Sequence, residues 1–129
     1  MSKVYRRRVG PARDELIGRV DEEGRVYRTR LGPDDEVGHA DPISGKVYAQ
    51  RFGKDEYIGR VGLEDGKVWR HVAGGPDEYL GRVHEGGRID YHVAGRADET
   101  IGRIDDAGSL AHAGAAFLLL AWPAFAENQ

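Results

Sequence analysis

The chain has 129 residues, which is the length of one ordinary domain with a core of its own. Its formal net charge of −3 shows no basic surplus, which argues against a nucleic-acid-binding protein. The absence of cysteine excludes a disulfide framework and a thiolate nucleophile. The first segment, MSKVYRRRVG, is basic but leads into no apolar stretch, so it is not a secretory signal. We therefore expect a cytoplasmic protein, with peripheral association at a membrane left open.

One phrase recurs through residues 3–108, and each copy opens with a basic residue followed by Val or Ile. Successive copies start 22, 21, 21 and 21 residues apart, and a period in this range indicates a repeat architecture. The five copies start at Lys3, Arg25, Lys46, Lys67 and Arg88.

Each copy contains two short runs of residues separated by turns. A first run such as VYAQRFG leads into an Asp-rich turn, and a second run such as DEYIGRV is followed by a turn such as LEDG. The runs are too short and too rich in Gly for helices, and their Val, Ile and Tyr content is typical of strands. Because Gly-containing turns of this length suit hairpins, we predict ten antiparallel strands. The glycines that end the first runs are Gly10, Gly32, Gly53, Gly74 and Gly95.

The second run of every copy has a glycine between two apolar residues that are three positions apart. In a regular strand such residues would face opposite sides of the sheet. A β-bulge at the glycine would return them to one face and would bend the strand. The predicted structural glycines are Gly18, Gly38, Gly59, Gly81 and Gly102, and the apolar residues before them are Ile17, Val37, Ile58, Leu80 and Ile101.

The five hairpins are predicted to close into a ring. An open repeat array needs distinctive polar caps, whereas the first copy begins at residue 3 without one. Closure also removes exposed sheet edges, so we expect the first strand to pair with the last hairpin. An open sheet array is the alternative. The predicted fold is all-β, a pseudo-symmetric barrel of five hairpin repeats.

The repeat pattern ends after Gly108, and an apolar segment follows. Residues 110–126 carry no charged side chain and are dominated by Ala and Leu, which favour helix. A ten-stranded ring leaves a lumen that needs filling, so we predict a helix over 111–122 as its plug, shortened by Pro123. A membrane anchor and an eleventh strand are the alternatives. Residues 1–108 and 109–129 are then two parts of one domain.

The GRV motifs at 18–20, 59–61 and 81–83, the GRI at 102–104 and the Ala/Leu-rich tail together resemble the bacterial β-flower proteins. Those are shallow barrels of hairpin petals, akin to tubby and scramblase C-terminal domains. The resemblance covers Lys3 to Trp122, but the second copy departs with GHA at 38–40 and the fifth has Asp90 in place of an aromatic. It implies a hydrophobic central channel and membrane association, and no catalytic residues. The tyrosine-led Gly-x-Gly pattern of membrane-occupation repeats is absent.

A channel of this kind defines the candidate ligand-binding or lipid-binding residues. They are the apolar residues before the repeat glycines together with two aromatic residues of the tail: Ile17, Val37, Ile58, Leu80, Ile101, Phe117 and Trp122.

An aromatic row and a basic fringe share the first strands of the repeats. Tyr5, Tyr27, Tyr48 and Trp69 occupy equivalent positions, where they form either a contact surface for lipid or cross-strand packing; packing is favoured. Arginines surround them and either contact anionic headgroups or form a solvated face. The fringe comprises Arg6, Arg7, Arg8, Arg28, Arg30, Arg51 and Arg70.

The repeated carboxylates and the histidines are not interpreted as a metal or catalytic site. Five Asp-Glu steps, at 14–15, 35–36, 55–56, 77–78 and 98–99, suit turns, with Glu pairing to Arg19, Arg60, Arg82 and Arg103. His71 and His92 share a repeat position, but His39, His84 and His112 fall out of phase with them. We expect no metal, no cofactor and no enzyme activity.

The expected function is that of a non-enzymatic β-barrel module, monomeric or a small homo-oligomer, that binds membrane lipid or an apolar small ligand. The alternative is a structural protein that self-assembles through its hairpins. A hydrolase using the ring of carboxylates is a distant third.

Overall fold

The computed structural model describes residues 1–8 and 13–127, which form ten strands followed by one helical segment. Gly10 and residues 128–129 lie outside the described residues. The first strand of each repeat begins within one residue of the predicted start. The strands are β1 Ser2–Arg6, β2 Glu15–Val20, β3 Arg25–Arg28, β4 Asp35–Ala40, β5 Lys46–Arg51, β6 Lys54–Val61, β7 Lys67–Arg70, β8 Glu78–Val83, β9 Arg88–Tyr91 and β10 Glu99–Ile104.

The strands form a closed antiparallel barrel in which each strand pairs with its neighbours in the chain. β1 closes the ring by pairing with β10, with Val4 opposite Ile104. The predicted ring is therefore confirmed over the open array. Closure leaves no exposed sheet edge among the ten described strands.

The two ends of the barrel differ. We call the end formed by turns 21–24, 41–45, 62–66 and 84–87 the base, and the end formed by loops 29–34, 52–53, 71–77 and 92–98 the mouth. The chain leaves β10 at the base through residues 105–109 and enters the barrel from there. The C-terminal segment therefore runs from base to mouth.

A bulge interrupts each second strand at the repeat glycine. Between β1 and β2, Val4 lies opposite Gly18 and the next residue, Tyr5, lies opposite Leu16, so Ile17 is the extra residue. The register shifts in the same way at the other four glycines. The bulge places both the glycine and the last apolar residue of the strand, such as Val20, on the inner face.

The C-terminal segment is a plug inside the barrel. It comprises α1 (Leu110–Ala116), a π-helical segment (Phe117–Ala121) and α2 (Trp122–Glu127). Ser109 caps its start, because its Oγ accepts a hydrogen bond from the His112 amide at 3.2 Å. Every residue from 111 to 121 is buried.

The plug and the barrel wall complement each other in size along the axis. Near the base, the wall presents a ring of large apolar side chains, including the facing pair Val61 and Val68, and α1 is mostly Ala and Gly. Near the mouth, the wall presents the bulge glycines, and the π segment is Phe-Leu-Leu-Leu-Ala. The leucines approach these glycines: Leu118 lies by Gly59, Leu119 by Gly38 and Leu120 by Gly18. Large side chains thus face small ones at both levels, as close packing requires.

The prediction that Pro123 shortens the helix is wrong, since α2 continues to Glu127. The reason lies in the π segment, where the Trp122 amide donates to the Phe117 carbonyl five residues back instead of four. A proline in a helix lacks the N–H donor, and its ring clashes with the carbonyl four residues back. The wide turn before Pro123 accommodates the proline, so the helix continues.

By length and composition, Leu110–Glu127 could also cross a membrane, but 61% of it is buried inside the barrel. A buried core helix passes the same length and composition test. Its position is that of the predicted plug and not that of an external anchor or an eleventh strand.

Candidate functional site

The inner rim of the mouth is built from one position of each first strand. Each bulge glycine has a paired strand on either side. On one of these strands, which is the first strand of a repeat, the residue directly opposite the glycine faces inward as the glycine does; Arg28, for example, lies opposite Gly18. These residues surround the end of the plug at the mouth. They are Arg6, Arg28, Ala49, Arg70 and Tyr91.

The end of the plug leaves a groove on one side of the mouth. On the other side, Phe125 packs against Tyr91 with ring centroids 5.1 Å apart. Between Trp122 and strands β3 to β7 lies a groove of about 610 Å³, which is within the range of small-molecule sites. Ala49, the smallest side chain on the rim, lines this groove and helps to make room for it.

A smaller cleft of about 290 Å³ adjoins the groove. It lies between the plug and β2 and is lined by Ile17 and Leu120 among others. Arg28 and Pro123 border both spaces, so the groove and the cleft together follow the plug around part of the rim.

The structure brings together some of the predicted ligand-binding residues and separates others. Val37, Ile58 and Trp122 line the groove, and Ile17 lines the cleft beside it. The remaining three are packed in the core: Leu80 and Ile101 are each 3% exposed, and Phe117 is 0% exposed.

Sequence reasoning missed how the rim is divided. The sequence assigns Arg28 and Arg70 to one basic fringe and does not distinguish Ala49. The signal was present in the strand pattern, because Val26 and Arg28, or Val47 and Ala49, are two residues apart and share the inner face. Reading it requires the register across the bulge, which places these residues opposite the glycines.

The charged groups at the mouth are mostly paired. Arg51 Nε lies 2.9 Å from Glu56 Oε2, and Arg70 Nε lies 2.9 Å from Glu78 Oε1. The Arg70 guanidinium also lies 5.8 Å from the centre of the Trp122 ring. Across the mouth, Arg6 Nε lies 2.7 Å from Glu15 Oε1. Arg28 is different, since it makes no ion pair with any residue of the described ranges.

The aromatic row faces outward and packs across strands. Tyr48 stacks on His39 with centroids 5.1 Å apart. The other three rings lie beneath the arginine of a neighbouring Gly-Arg motif, in cation–π contacts that join adjacent strands. The distances from guanidinium carbon to ring centroid are 4.0 Å for Arg19 and Tyr27, 4.9 Å for Arg60 and Trp69, and 4.1 Å for Arg103 and Tyr5. These contacts support the packing interpretation of the row.

The predicted pairing of repeat glutamates with the Gly-Arg arginines is wrong. Arg19 Nε lies 2.9 Å from Asp34, and Arg60 Nε lies 3.2 Å from Asp77, so these arginines form ion pairs with aspartates. The strand register is the reason, because it sets Glu78 directly across from Arg70 and Glu15 directly across from Arg6. Arg103 pairs with Asp14, and Arg82 Nε donates to the Asp65 carbonyl at 2.8 Å.

Four of the five histidines lie beside a carboxylate or an aromatic ring: His39, His71, His84 and His92. His71 Nδ1 is 3.4 Å from Asp77 and His92 Nδ1 is 3.1 Å from Asp98. No group of three or more potential metal ligands occurs among residues 1–8 and 13–127.

Asp90, which replaces an aromatic in the fifth repeat, forms a buried polar cluster. Its carboxylate accepts hydrogen bonds from Thr100 Oγ1 at 2.8 Å and Arg88 Nε at 3.1 Å, and lies 2.9 Å from His84 Nε2. Burial acts to raise the pKa of Asp90, but Thr100, His84 and Arg88 outweigh it and hold that pKa below its ordinary value. The cluster therefore keeps a charged carboxylate stable where the other repeats carry a ring.

Comparison of the chain with protein-family models, with curated proteins and with solved structures gives no match. The resemblance to β-flower proteins therefore rests on the repeat motifs and the tail alone. What the molecule offers a ligand is given by its own residues, and these place the groove at the mouth as the candidate site.

Proposed function

We propose that this protein is a non-enzymatic binding module that holds an apolar or amphipathic small molecule in the groove at its mouth. The observation that carries the proposal is the groove itself, about 610 Å³ in volume, with Val37, Ile58, Leu118 and Trp122 in its lining. Apolar lining with a few charged groups at the edge is typical of small-molecule sites.

The groove is supported by rigid parts of the fold. Leu118 and Leu119 belong to the buried π segment, and Ala49 belongs to a strand that is hydrogen-bonded on both sides. A site held in this way loses little conformational entropy when a ligand binds, which favours affinity. The barrel axis is filled by the plug, so the proposal places the ligand beside the plug and not along a central channel.

The proposal assigns no reaction to the groove. The carboxylate of Glu56 is engaged by Arg51, and the ring of His71 lies between Asp77 and Tyr57. Neither group lies beside a nucleophile in the groove lining. A relationship to the β-flower proteins is part of the same proposal, and it is consistent with binding rather than catalysis.

Filling the groove tests this function. Replacing Ala49 with Leu adds apolar atoms where the ligand would lie. We therefore expect the affinity for a single-chain amphiphile such as dodecanol to fall at least about tenfold. Binding is followed by the fluorescence of Trp122 in a Trp69→Phe background, since these are the two tryptophans of the chain.

The matched control is the same substitution at Ala94, which is exposed at the mouth and does not line the groove. Ala94→Leu is expected to bind dodecanol as the parent does. If circular dichroism shows that both proteins are folded, equal affinity of the Ala49→Leu variant and the parent for dodecanol would contradict the proposal.

Two mouth loops support a second candidate function, peripheral contact with an anionic membrane surface. Leu31 and Phe52, on neighbouring loops, are both fully exposed at 105%. Phe52 also has φ 50°, a left-handed conformation that a bulky residue rarely adopts. Arg51 precedes Phe52, and Lys54 lies two residues after it, opposite Arg51 across the turn. Exposed apolar side chains beside cations are suited to the boundary of an anionic bilayer.

Vesicle flotation tests this second function. The parent is expected to float with phosphatidylserine-containing vesicles, and the double variant Leu31→Ser, Phe52→Ser to remain in solution. The control is Ile43→Ser, which removes an 87% exposed apolar side chain at the base. Concentration-dependent growth of the parent in light scattering, without flotation, would instead favour self-assembly through the hairpins.

A further inference from the structure

Among residues 1–8 and 13–127, one guanidinium at the rim has no carboxylate partner. Four arginines lie around the plug end, and three of them are engaged: Arg6 by Glu15, Arg51 by Glu56 and Arg70 by Glu78. Arg28 makes no ion pair within the described ranges. The carboxylate across the strand from it, Asp35, lies 3.4 Å from Arg30 instead.

Arg28 also stands at a particular place along the apolar surface. It borders both the groove and the smaller cleft, at the point where the two adjoin. On the groove side lie Val37 and Leu119, and on the cleft side lie Ile17 and Leu120. An apolar chain lying in the groove would therefore end beside a positive charge.

The charges around the groove favour an anion over a cation. Its lining includes the guanidinium groups of Arg28, Arg51 and Arg70, against the single carboxylate of Glu56. Arg51 already pairs with Glu56, and Arg70 pairs with Glu78. Among the described residues, the unpaired charge that remains for a ligand in the groove is therefore that of Arg28. A guanidinium offers two parallel N–H donors, which match the two oxygens of a carboxylate.

We propose that the groove takes a single-chain amphiphile with a carboxylate headgroup, and that Arg28 binds this headgroup. The inference rests on the proposed binding function and adds the class of ligand to it. The apolar chain lies along Ile58, Leu118 and Trp122, and the carboxylate accepts hydrogen bonds from the Arg28 guanidinium.

A purely structural role for Arg28 makes a different prediction. The last carbonyl groups of a helix carry partial negative charge, and a nearby arginine stabilises them. If this were its whole role, removing the charge would lower the melting temperature without changing which headgroup the groove prefers.

The test compares ligands that differ only at the head. Dissociation constants are measured by Trp122 fluorescence for dodecanoate, dodecanol and dodecyltrimethylammonium, all below their micelle concentrations. We expect the parent to bind dodecanoate about tenfold or more tightly than dodecanol, as a charge-assisted hydrogen bond allows, and the cation most weakly. Arg28→Gln is expected to remove the preference by weakening dodecanoate and leaving dodecanol unchanged.

Arg30→Gln is the matched control, because Arg30 is exposed, pairs with Asp35 and does not line the groove. It is expected to keep the preference for dodecanoate. A preference retained in Arg28→Gln, or a parent that binds dodecanol or the cation as tightly as dodecanoate, overturns the role of Arg28 and leaves the binding function standing. If no ligand binds the parent, the binding function fails and the inference fails with it. The comparison among ligands on the parent holds even if the variant does not fold.

Discussion

Removal of residues 109–129 is expected to turn the folded barrel into a molten chain that binds apolar dyes. The deletion takes away the whole plug, including Phe117, Leu118, Leu119 and Leu120, all of them buried. Burial of one such side chain stabilises a protein by roughly 1.5–3 kcal/mol. The loss of four would consume most of a typical domain's margin of about 5–15 kcal/mol.

The wall cannot make up the loss by closing inward. Where the leucines of the plug lie, the inner surface of the wall includes bulge glycines, which have no side chains to fill the space that the leucines leave. Near the base, the ring of large apolar wall side chains packs against the alanines of α1, and Val61 in particular meets Gly114. Both levels of the core therefore depend on the plug.

Thermal melting and dye binding, measured on the full and shortened chains together, check this result. We expect the shortened chain to lose its cooperative transition and to bind an apolar dye such as anilinonaphthalene sulfonate. Leu119→Ala serves as the graded comparison, with a cost of about 2–5 kcal/mol and a cooperative melt that is retained. An unchanged melting curve for the shortened chain would mean that the barrel stands without its plug.

The order and ends of the strands could be predicted because the repeat states them five times. A single DEYIGRV would be ambiguous, but five aligned copies fix where each hairpin turns. Closure could be predicted from the same count, since pairing the first strand with the last hairpin removes both edges of the sheet. The plug followed from the contrast between a charged repeat and an uncharged tail that the ring had room to hold.

The groove could not be predicted, because it depends on small departures from the repeat. Ala49 stands where other repeats carry Arg or Tyr, and Tyr91 stands where Phe125 needs a partner. Such single differences carry no meaning in the sequence until the register places them at one rim. The sequence pattern does not predict the π segment either, although this segment lets the helix continue past Pro123.

The two proposed surfaces lie at the same end of the molecule. The exposed side chains of Leu31 and Phe52 are on mouth loops, and the groove opens between Trp122 and the mouth ends of the strands. A barrel that met a bilayer with these loops would present its groove to the layer where single-chain carboxylates collect. The flotation and ligand measurements are independent, so either surface can fail without the other.

An added side chain at Gly59, the glycine at the bulge of β6, is expected to be strongly destabilising. A Cβ at Gly59 would overlap the carbonyl oxygen of Trp69 and lie 2.9 Å from Leu118 Cδ1. The first obstacle is backbone of the neighbouring strand and the second belongs to the buried plug, so neither can move without breaking the β6–β7 pairing or the core. Gly59→Val is therefore expected to destabilise the protein by at least about 3 kcal/mol, the upper end of ordinary overpacking.

Denaturant unfolding of Gly59→Val beside Gly75→Val checks this prediction with the same substitution at two glycines. Gly75 lies in an exposed mouth loop, where a Cβ would meet only Val72 Cγ1, at 3.8 Å. The free energy of unfolding of Gly75→Val is expected to lie within about 0.5 kcal/mol of the parent's, as is usual for surface changes. A Gly59→Val protein as stable as the Gly75 variant would show that the wall at this level can yield, and the close match between bulge glycines and plug leucines would then not be what holds the barrel together.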